Sequence, residues 1–260
     1  MNRLLRTFFI FLLLLSTRSA IGQIAPIEQE TNEANSGYSA KLAFANNLDG
    51  LAAIESMQYQ QPRQTSADLD TLYAIAPDAQ QELADLLSSI TNQTQTHAVL
   101  ADIKSRDRAQ VKLKNKLNND ASQLTDLVRA SIVSKDIYNL MQAYALVKSD
   151  SQIIQVKNRF SEPKDSGYRD LNLLVKLPKS QMIAEIQLHL ADIADIKSGD
   201  EHLVYEQVQQ MQNHALQQQR DLSDIEKTKI VQLRQESHKQ YHKAWLKYKR
   251  LDQADFLVAA

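Results

Sequence analysis

The sequence predicts an α+β domain: a mixed β-sheet of about four to five strands with flanking helices and long C-terminal helices. Three observations lead there. Between Leu124 and Leu190, short runs rich in Val, Ile and Leu follow the order β-α-β-β-β. Upstream, Leu83, Leu86, Leu87 and Ile90 recur at i, i+3, i+4 and i+7, the stripe of an amphipathic helix. Downstream, everything from Glu201 to Leu251 carries helical periodicity.

The elements are expected in this order. Residues 23–68, rich in Gln, Asn, Ser, Ala and Glu, form a loosely ordered lead-in with one short helix around Ala40–Ser56. Pro77-Asp78 opens the first long helix, and a second runs from His97 to Leu117. Leu124–Ser134 is a strand, Lys135–Val147 a crossing helix and Gln152–Phe160 another strand. The run from Glu162 to Gly167 is a turn. Two strands follow, Tyr168–Leu177 and Ile183–Leu190, joined at Pro178-Lys179-Ser180. Ser223-Asp224-Ile225-Glu226 is a capping box that starts the last helix. Residues 69–251 form the domain.

Composition narrows the function classes. With 43% hydrophobic residues in 260, the chain can bury one good core. Lys+Arg 30 against Asp+Glu 31 argues against a general nucleic-acid binder, so any basic site is local. The absence of Cys excludes disulfides, thiolate catalysis and thiolate metal sites. At the N-terminus, a basic MNRLLR precedes the apolar run TFFIFLLLLS, and Ala20-Ile21-Gly22 fits the small-x-small cleavage rule. Residues 1–22 therefore read as a signal peptide, with a mature chain from Gln23 that is secreted or periplasmic. The alternative is an uncleaved interfacial anchor. The run is too short for a stable membrane span, which needs about 20 residues.

Three features carry candidate chemistry. In Tyr168–Leu177, Leu171, Leu173, Val175 and Leu177 share one face, and Tyr168, Asp170 and Asn172 the other. In Ile183–Leu190, Ile186, Leu188 and Leu190 turn to the core, and Glu185, Gln187 and His189 away from it. A tight hairpin places both polar triplets on one wall, either a solvated face or a site. Second, Lys104, Arg108 and Lys112 lie at i, i+4 and i+8, and Arg106, Lys114 and Lys116 extend the cluster. Six cations against Asp107 make either a solvated helix face or a phosphate cradle. Third, Asp126 stands just before a strand, as a cap or as a Mg²⁺ ligand with Glu185.

These residues resemble the RelA/SpoT nucleotidyltransferase domain, the alarmone-synthetase fold. KSRDRAQVKLKN at 104–115 is similar to the family's basic helix, and DLVRASIV at 126–133 to its Asp-bearing strand. The Gly-Tyr turn at 167–168 with Glu-Ile-Gln at 185–187 is the most specific part, and SHKQYHKAW at 237–245 resembles the closing helix of shorter members. The resemblance implies that Asp126 coordinates Mg²⁺, and that Glu185 is a second metal ligand or the base for a ribose 3′-hydroxyl. It implies that Gln187 orients that carboxylate or the ribose, and that Tyr168 stacks on the acceptor base. Lys104, Arg106, Arg108 and Lys112 would hold the ATP phosphates, with Asp170, Asn172 and His189 also at the nucleotide. The implied reaction moves the β,γ-pyrophosphate of ATP to a nucleotide 3′-oxygen, with GDP or GTP as the default acceptor and tRNA as another.

The chain departs from the family at four places. Asp170 and Asn172 stand where the family carries Ser and His. Ser131 and His189 stand where it commonly carries Arg. The family's hydrolase domain is not expected, since no His-Asp dipeptide occurs. An exported chain would leave the cytosolic pool of ATP and GTP behind. A secreted toxin or effector acting inside another cell resolves that conflict. So does a non-catalytic protein that binds nucleotide, tRNA or a partner on the same fold, and so does a targeting sequence whose compartment contains nucleotides. A helical partner-binding scaffold, built on the Gln-rich segment 207–219, is the third reading.

Overall fold

The computed structural model describes residues 47–59 and 61–259. The expected signal peptide and most of the expected lead-in lie outside them. The helices are α1 (Leu48–Ala52), α2 (Leu69–Gln93), α3 (Arg106–Lys116), α4 (Ile137–Asp150), α5 (Ala191–Ser198), α6 (Asp200–Gln217) and α7 (Asp224–Ala259). The strands are β1 (Met57–Gln58), β2 (Thr96–Leu100), β3 (Arg129–Ser134), β4 (Gln152–Asn158), β5 (Leu171–Lys176) and β6 (Ile183–Leu190). No helix among the described residues is long and apolar enough to cross a membrane.

One mixed sheet of six strands runs in the order β1-β4-β5-β6-β3-β2. Every pairing is antiparallel except β3 with β6, which is parallel. Parallel strands need a long crossover. After β3 the chain crosses through α4 to β4, and the β5-β6 hairpin fills the gap between them. Leu171, Leu173 and Val175 from β5, with Ile186 and Leu188 from β6, are 0% exposed. They share the core with Leu83, Leu87 and Ile90 of α2 and Leu140 and Val147 of α4.

Several elements differ from the expectations. The first long helix begins eight residues before Pro77, because the Asp68 side chain caps it by accepting from the Thr71 N–H. Pro77 is carried inside it. The expected second helix splits: Thr96–Leu100 pairs with β3 as an edge strand, and the helix starts only after Ser105, whose hydroxyl accepts from the Arg108 N–H. The strand expected over Leu124–Ser134 is confined to Arg129–Ser134, after a short 3-10 turn at Ala121–Gln123. The uncounted strands are the edges β1 and β2, too short or too exposed to show a core-facing alternation. The capping box is reciprocal: the Ser223 N–H donates to Glu226 Oε2 at 2.8 Å, and the Glu226 N–H to Ser223 Oγ at 3.3 Å.

The described part of the lead-in is tied to the domain. Gln64 is buried, accepts from the Ile183 N–H at 2.9 Å, and donates to the carbonyls of Leu124 and Ile183 at 3.0 and 2.9 Å. At the other end of the chain, α7 lies along the turn before β5. Trp245 packs on Phe160 with ring centroids 5.6 Å apart, and Arg169 lies 4.8 Å over the Trp245 ring. A Cβ on Gly167, whose φ is +78°, would meet His238 at 3.1 Å. Only glycine fits this seat.

Gln64→Ala strands the Ile183 N–H in a buried place. It is expected to lower unfolding free energy by about 1–3 kcal/mol, the cost of an unsatisfied buried donor. Urea denaturation of the purified protein checks this.

Candidate functional site

The register of the hairpin assembles the polar wall. Asn172 pairs with Gln187 across β5 and β6, and Arg129 and Ser131 of β3 pair with Glu185 and Gln187 on the other side. Glu185 accepts from Asn172 Nδ2 at 2.6 Å. Gln187 Oε1 accepts from Lys197 Nζ at 2.6 Å, so its partner is a lysine of α5 and not Glu185.

At one end of this wall stands Asp126. The Glu185 N–H donates to the Val128 carbonyl at 3.0 Å, so Asp126, in the turn two residues before Val128, lies towards the Glu185 end of β6. Asp126 Oδ2 accepts from Lys112 Nζ at 2.8 Å and from Lys104 Nζ at 3.0 Å. Its Oδ1 is buried without a partner. Burial pushes this carboxyl up, but Lys112 and Lys104 outweigh it and hold it below the usual carboxylate range. Lys104 is 7% exposed, and burial draws it below the usual lysine range against the pull of Asp126.

The basic helix therefore contributes differently from the expectation. Lys104 precedes α3 instead of sharing its face. It is held by its backbone, whose N–H donates to the Leu127 carbonyl at 3.0 Å and whose carbonyl accepts from the Tyr73 hydroxyl at 2.5 Å. Arg106 turns away to α2, where it pairs with Asp70 and lies 4.4 Å over the Tyr73 ring. Arg108 stays exposed and forms no ion pair among the described residues. Lys104, Lys112 and Arg108 remain at the wall.

The opposite end is a buried polar chain. Asp170, 0% exposed, accepts from Arg159 Nη1 at 2.7 Å and from the Tyr168 hydroxyl at 2.8 Å. The same hydroxyl lies 2.7 Å from His189 Nε2. Because it donates to Asp170, it accepts from His189, which places the imidazole proton on Nε2 and leaves the buried Nδ1 as a bare acceptor. Both oxygens of Asp170 are thus engaged by the protein, and His189 is 1% exposed. The structure gives these two residues a part other than the expected nucleotide contact: they fix the Tyr168 hydroxyl. The Tyr168 ring is 7% exposed. Tyr241 meets it edge-on at 5.6 Å, His189 lies at 5.9 Å and Lys164 Nζ at 5.1 Å. Of these covers only Lys164 is a surface side chain. Tyr241 in turn donates to Glu201 Oε2 at 2.9 Å, joining α7 to α6 beneath the ring.

The comparisons with known proteins meet this geometry. Residues 102–210 match the family model described as a region found in RelA / SpoT proteins. This stretch is a RelA/SpoT-type domain. GTP pyrophosphokinase YwaC of Bacillus subtilis (strain 168) is 26% identical over 152 residues, which cover 52% of this chain and 71% of the relative. Among solved structures, small alarmone synthetase 1 from Bacillus subtilis bound to its product pppGpp aligns with TM-score 0.54 and 14% identity. That alignment covers 74% of this chain and 97% of the other. The Type VI effector Tas1, in complex with its immunity protein, aligns with TM-score 0.49 and 20% identity over 66% of this chain and 94% of the other. The structural likeness to the synthetase is one of fold.

Within the RelA/SpoT-type domain, four cations escaped the sequence reading as site residues: Arg129, Arg159, Lys164 and Lys197. Arg159 was legible in part, since its N–H bonds the Asp170 carbonyl at 2.9 Å and continues the β4-β5 register by one residue. Lys197 was not, because only the turn of the chain into α5 brings it back over Gln187.

The donor set suits a hard divalent cation. Asp126 carries an unpartnered oxygen, and Glu185 stands at the same end of the sheet. Among the described residues no group of three or more His, Cys, Asp or Glu could hold a metal ion. Two carboxylates completed by substrate phosphates are what Mg²⁺ ordinarily takes.

His189 generates a pH prediction. Burial, then Lys197 and Arg159, depress its folded pKa well below the usual histidine range. The unfolded chain therefore binds a proton that the folded chain refuses, and stability is lost as pH falls below about 6.5. Thermal melts between pH 7.5 and 5 are expected to show a falling Tm, and His189→Gln a flatter profile over the same range.

Proposed function

We propose that this protein is a nucleotide 3′-pyrophosphokinase that transfers the β,γ-pyrophosphate of ATP to the 3′-hydroxyl of a guanine nucleotide. The observation that carries the reading is Asp126, bonded by Lys104 and Lys112 with one oxygen unpartnered, two residues before Val128, whose carbonyl accepts from the Glu185 N–H. The RelA/SpoT-type domain supports the same reaction class.

In this reading the acceptor 3′-oxygen attacks the β-phosphorus of ATP. The bond from that phosphorus to the α,β-bridging oxygen breaks, and AMP leaves with the bridging oxygen. Glu185, held by Asn172, takes the hydroxyl proton. Lys112, Lys104 and Arg108 bind the donor phosphates and spread the charge on the departing AMP. Asp126 and Glu185 would hold Mg²⁺, which when bound supplies further neutralisation of the phosphate oxygens. Lys164 moves from the Tyr168 ring to let the acceptor base stack. The chain is exported by its leader and matures from Gln23, so the nucleotides it meets are those of a second cell, and it acts there as a toxin or effector.

A second reading is a non-catalytic nucleotide-, tRNA- or partner-binding protein. It is favoured by the covered Tyr168 ring and by Asp170 and Asn172 where the family carries Ser and His. Labelled ATP with Mg²⁺ and a panel of GDP, GTP, ADP, AMP and tRNA separates the two. The expected result is a pyrophosphorylated acceptor and AMP, resolved by mass spectrometry. Transfer to none of them, with calorimetric binding retained, establishes the second reading. Glu185→Gln is expected to lower turnover at least ~10²-fold, as for loss of a general base.

A further inference from the structure

We propose that Lys197 of α5 binds the acceptor directly, its ammonium taking a phosphate oxygen of the incoming nucleotide at a cationic centre distinct from the Lys104–Asp126–Lys112 end. The inference rests on the transfer reading and adds to it a residue from outside the basic helix.

The argument is one of unmatched charge. Lys197 is half-buried, yet the hydrogen bond of its ammonium goes to the neutral amide of Gln187 at 2.6 Å. Neither it nor Arg129 or Lys164 forms an ion pair among the described residues. The Nε of Arg129 is buried with no partner at all. Of the two nearby carboxylates, Asp170 is bonded at both oxygens by Arg159 and Tyr168, and Glu185, bonded through one oxygen to Asn172, forms no ion pair with Lys197. Burial, partly offset by Asp170 and Glu185, draws Lys197 below the usual lysine range, and Arg129 and Lys164 add to that pull. Holding like charges together in a half-buried place costs free energy, and an anion with several acceptor oxygens removes that cost.

Position selects the acceptor over the donor. The β6 backbone spans roughly 13 Å from Glu185 to His189, at about 3.3 Å per residue. Lys104 and Lys112 occupy the Glu185 end. Lys197 bonds Gln187 at the middle of β6, between Glu185 and His189, whereas Lys104 and Lys112 bond Asp126. An acceptor with its 3′-hydroxyl at Glu185 and its base towards Tyr168 passes under this ammonium, while the ATP phosphates lie at the other cluster.

The test compares the wild type with Lys197→Met, which keeps the stem without the charge, and Lys197→Arg, which keeps the charge. Transfer kinetics give KM for ATP and for the acceptor separately. Calorimetry gives GDP and ADP binding without ATP, and thermal melts report the fold. The expected result is an acceptor KM and Kd raised about tenfold or more in Lys197→Met. The KM for ATP is unchanged, the melt is unchanged, and Lys197→Arg recovers most of the loss. Unchanged acceptor binding in Lys197→Met overturns the proposal. So does a loss shared equally by ATP and acceptor, or a lowered melt that Lys197→Arg does not restore. If the wild type binds GDP or ADP without transfer, and Lys197→Met weakens that binding, the transfer reading falls while Lys197 keeps its part. Wild-type transfer undisturbed by Lys197→Met rejects Lys197 alone.

Discussion

The parallel pairing of β3 with β6 is the constraint on which the other features rest. It sets Arg129 opposite Glu185 and brings the Asp126 end of the strand alongside. A slip of one residue would turn Glu185, Gln187 and His189 into the core and Ile186 and Leu188 out of it. A slip of two would carry Glu185 roughly 7 Å along the strand, away from Asp126. The fully buried leucines and isoleucines of both strands oppose the first slip. Gln64, bonded to both backbone groups of Ile183, opposes the second by pinning the start of β6. A segment that reads as a polar lead-in thereby acts as the stop that sets the register.

The far end of the wall shows how a buried acid is kept. Asp170 is enclosed and needs a compensating charge, which Arg159 supplies from the end of β4. The Tyr168 hydroxyl satisfies its other oxygen, and His189, kept neutral by burial, satisfies the hydroxyl. Where the family pattern has Ser, His and Arg, this chain has Asp170, Asn172 and His189. Asp170 and His189 serve a single network, while Asn172 positions Glu185. The departures are consistent with one another: Asp170 requires Arg159, and neutral His189 is compatible with the nearby Lys197 and Arg159 only because it carries no proton.

Legibility in the sequence followed the period of each signal. The β5-β6 hairpin and its two faces were readable because apolar and polar positions alternate from Glu185 to Leu190 and, with Leu174 as the exception, from Leu171 to Leu177. The α2 stripe was readable from its i, i+3, i+4, i+7 spacing, and the capping box from Ser223 and Glu226 three residues apart. The break at Ser105 was not, because the cation spacing runs through it without change, and only the cap shows that Lys104 lies outside the helix. Arg106 was drawn off by Asp70, a contact across 36 positions that no local pattern announces. The site divides likewise. Glu185 and Gln187 belong to a strand and Asp126 to the turn just before one, so they could be placed, whereas Lys164 and Lys197 come from a turn and a short helix whose return path is tertiary.

The seating of the Gly167-Tyr168 turn on α7 bears on the order in which the molecule becomes complete. The turn is translated roughly seventy residues before Tyr241, and segments generally settle as they emerge from the ribosome. Until His238, Tyr241 and Trp245 have been added, the tyrosine floor lacks its neighbours, and Glu201 lacks the phenol that bonds it. A nascent chain thus reaches α7 with the Tyr168 end of the wall unfinished. Closure of that end waits on α7.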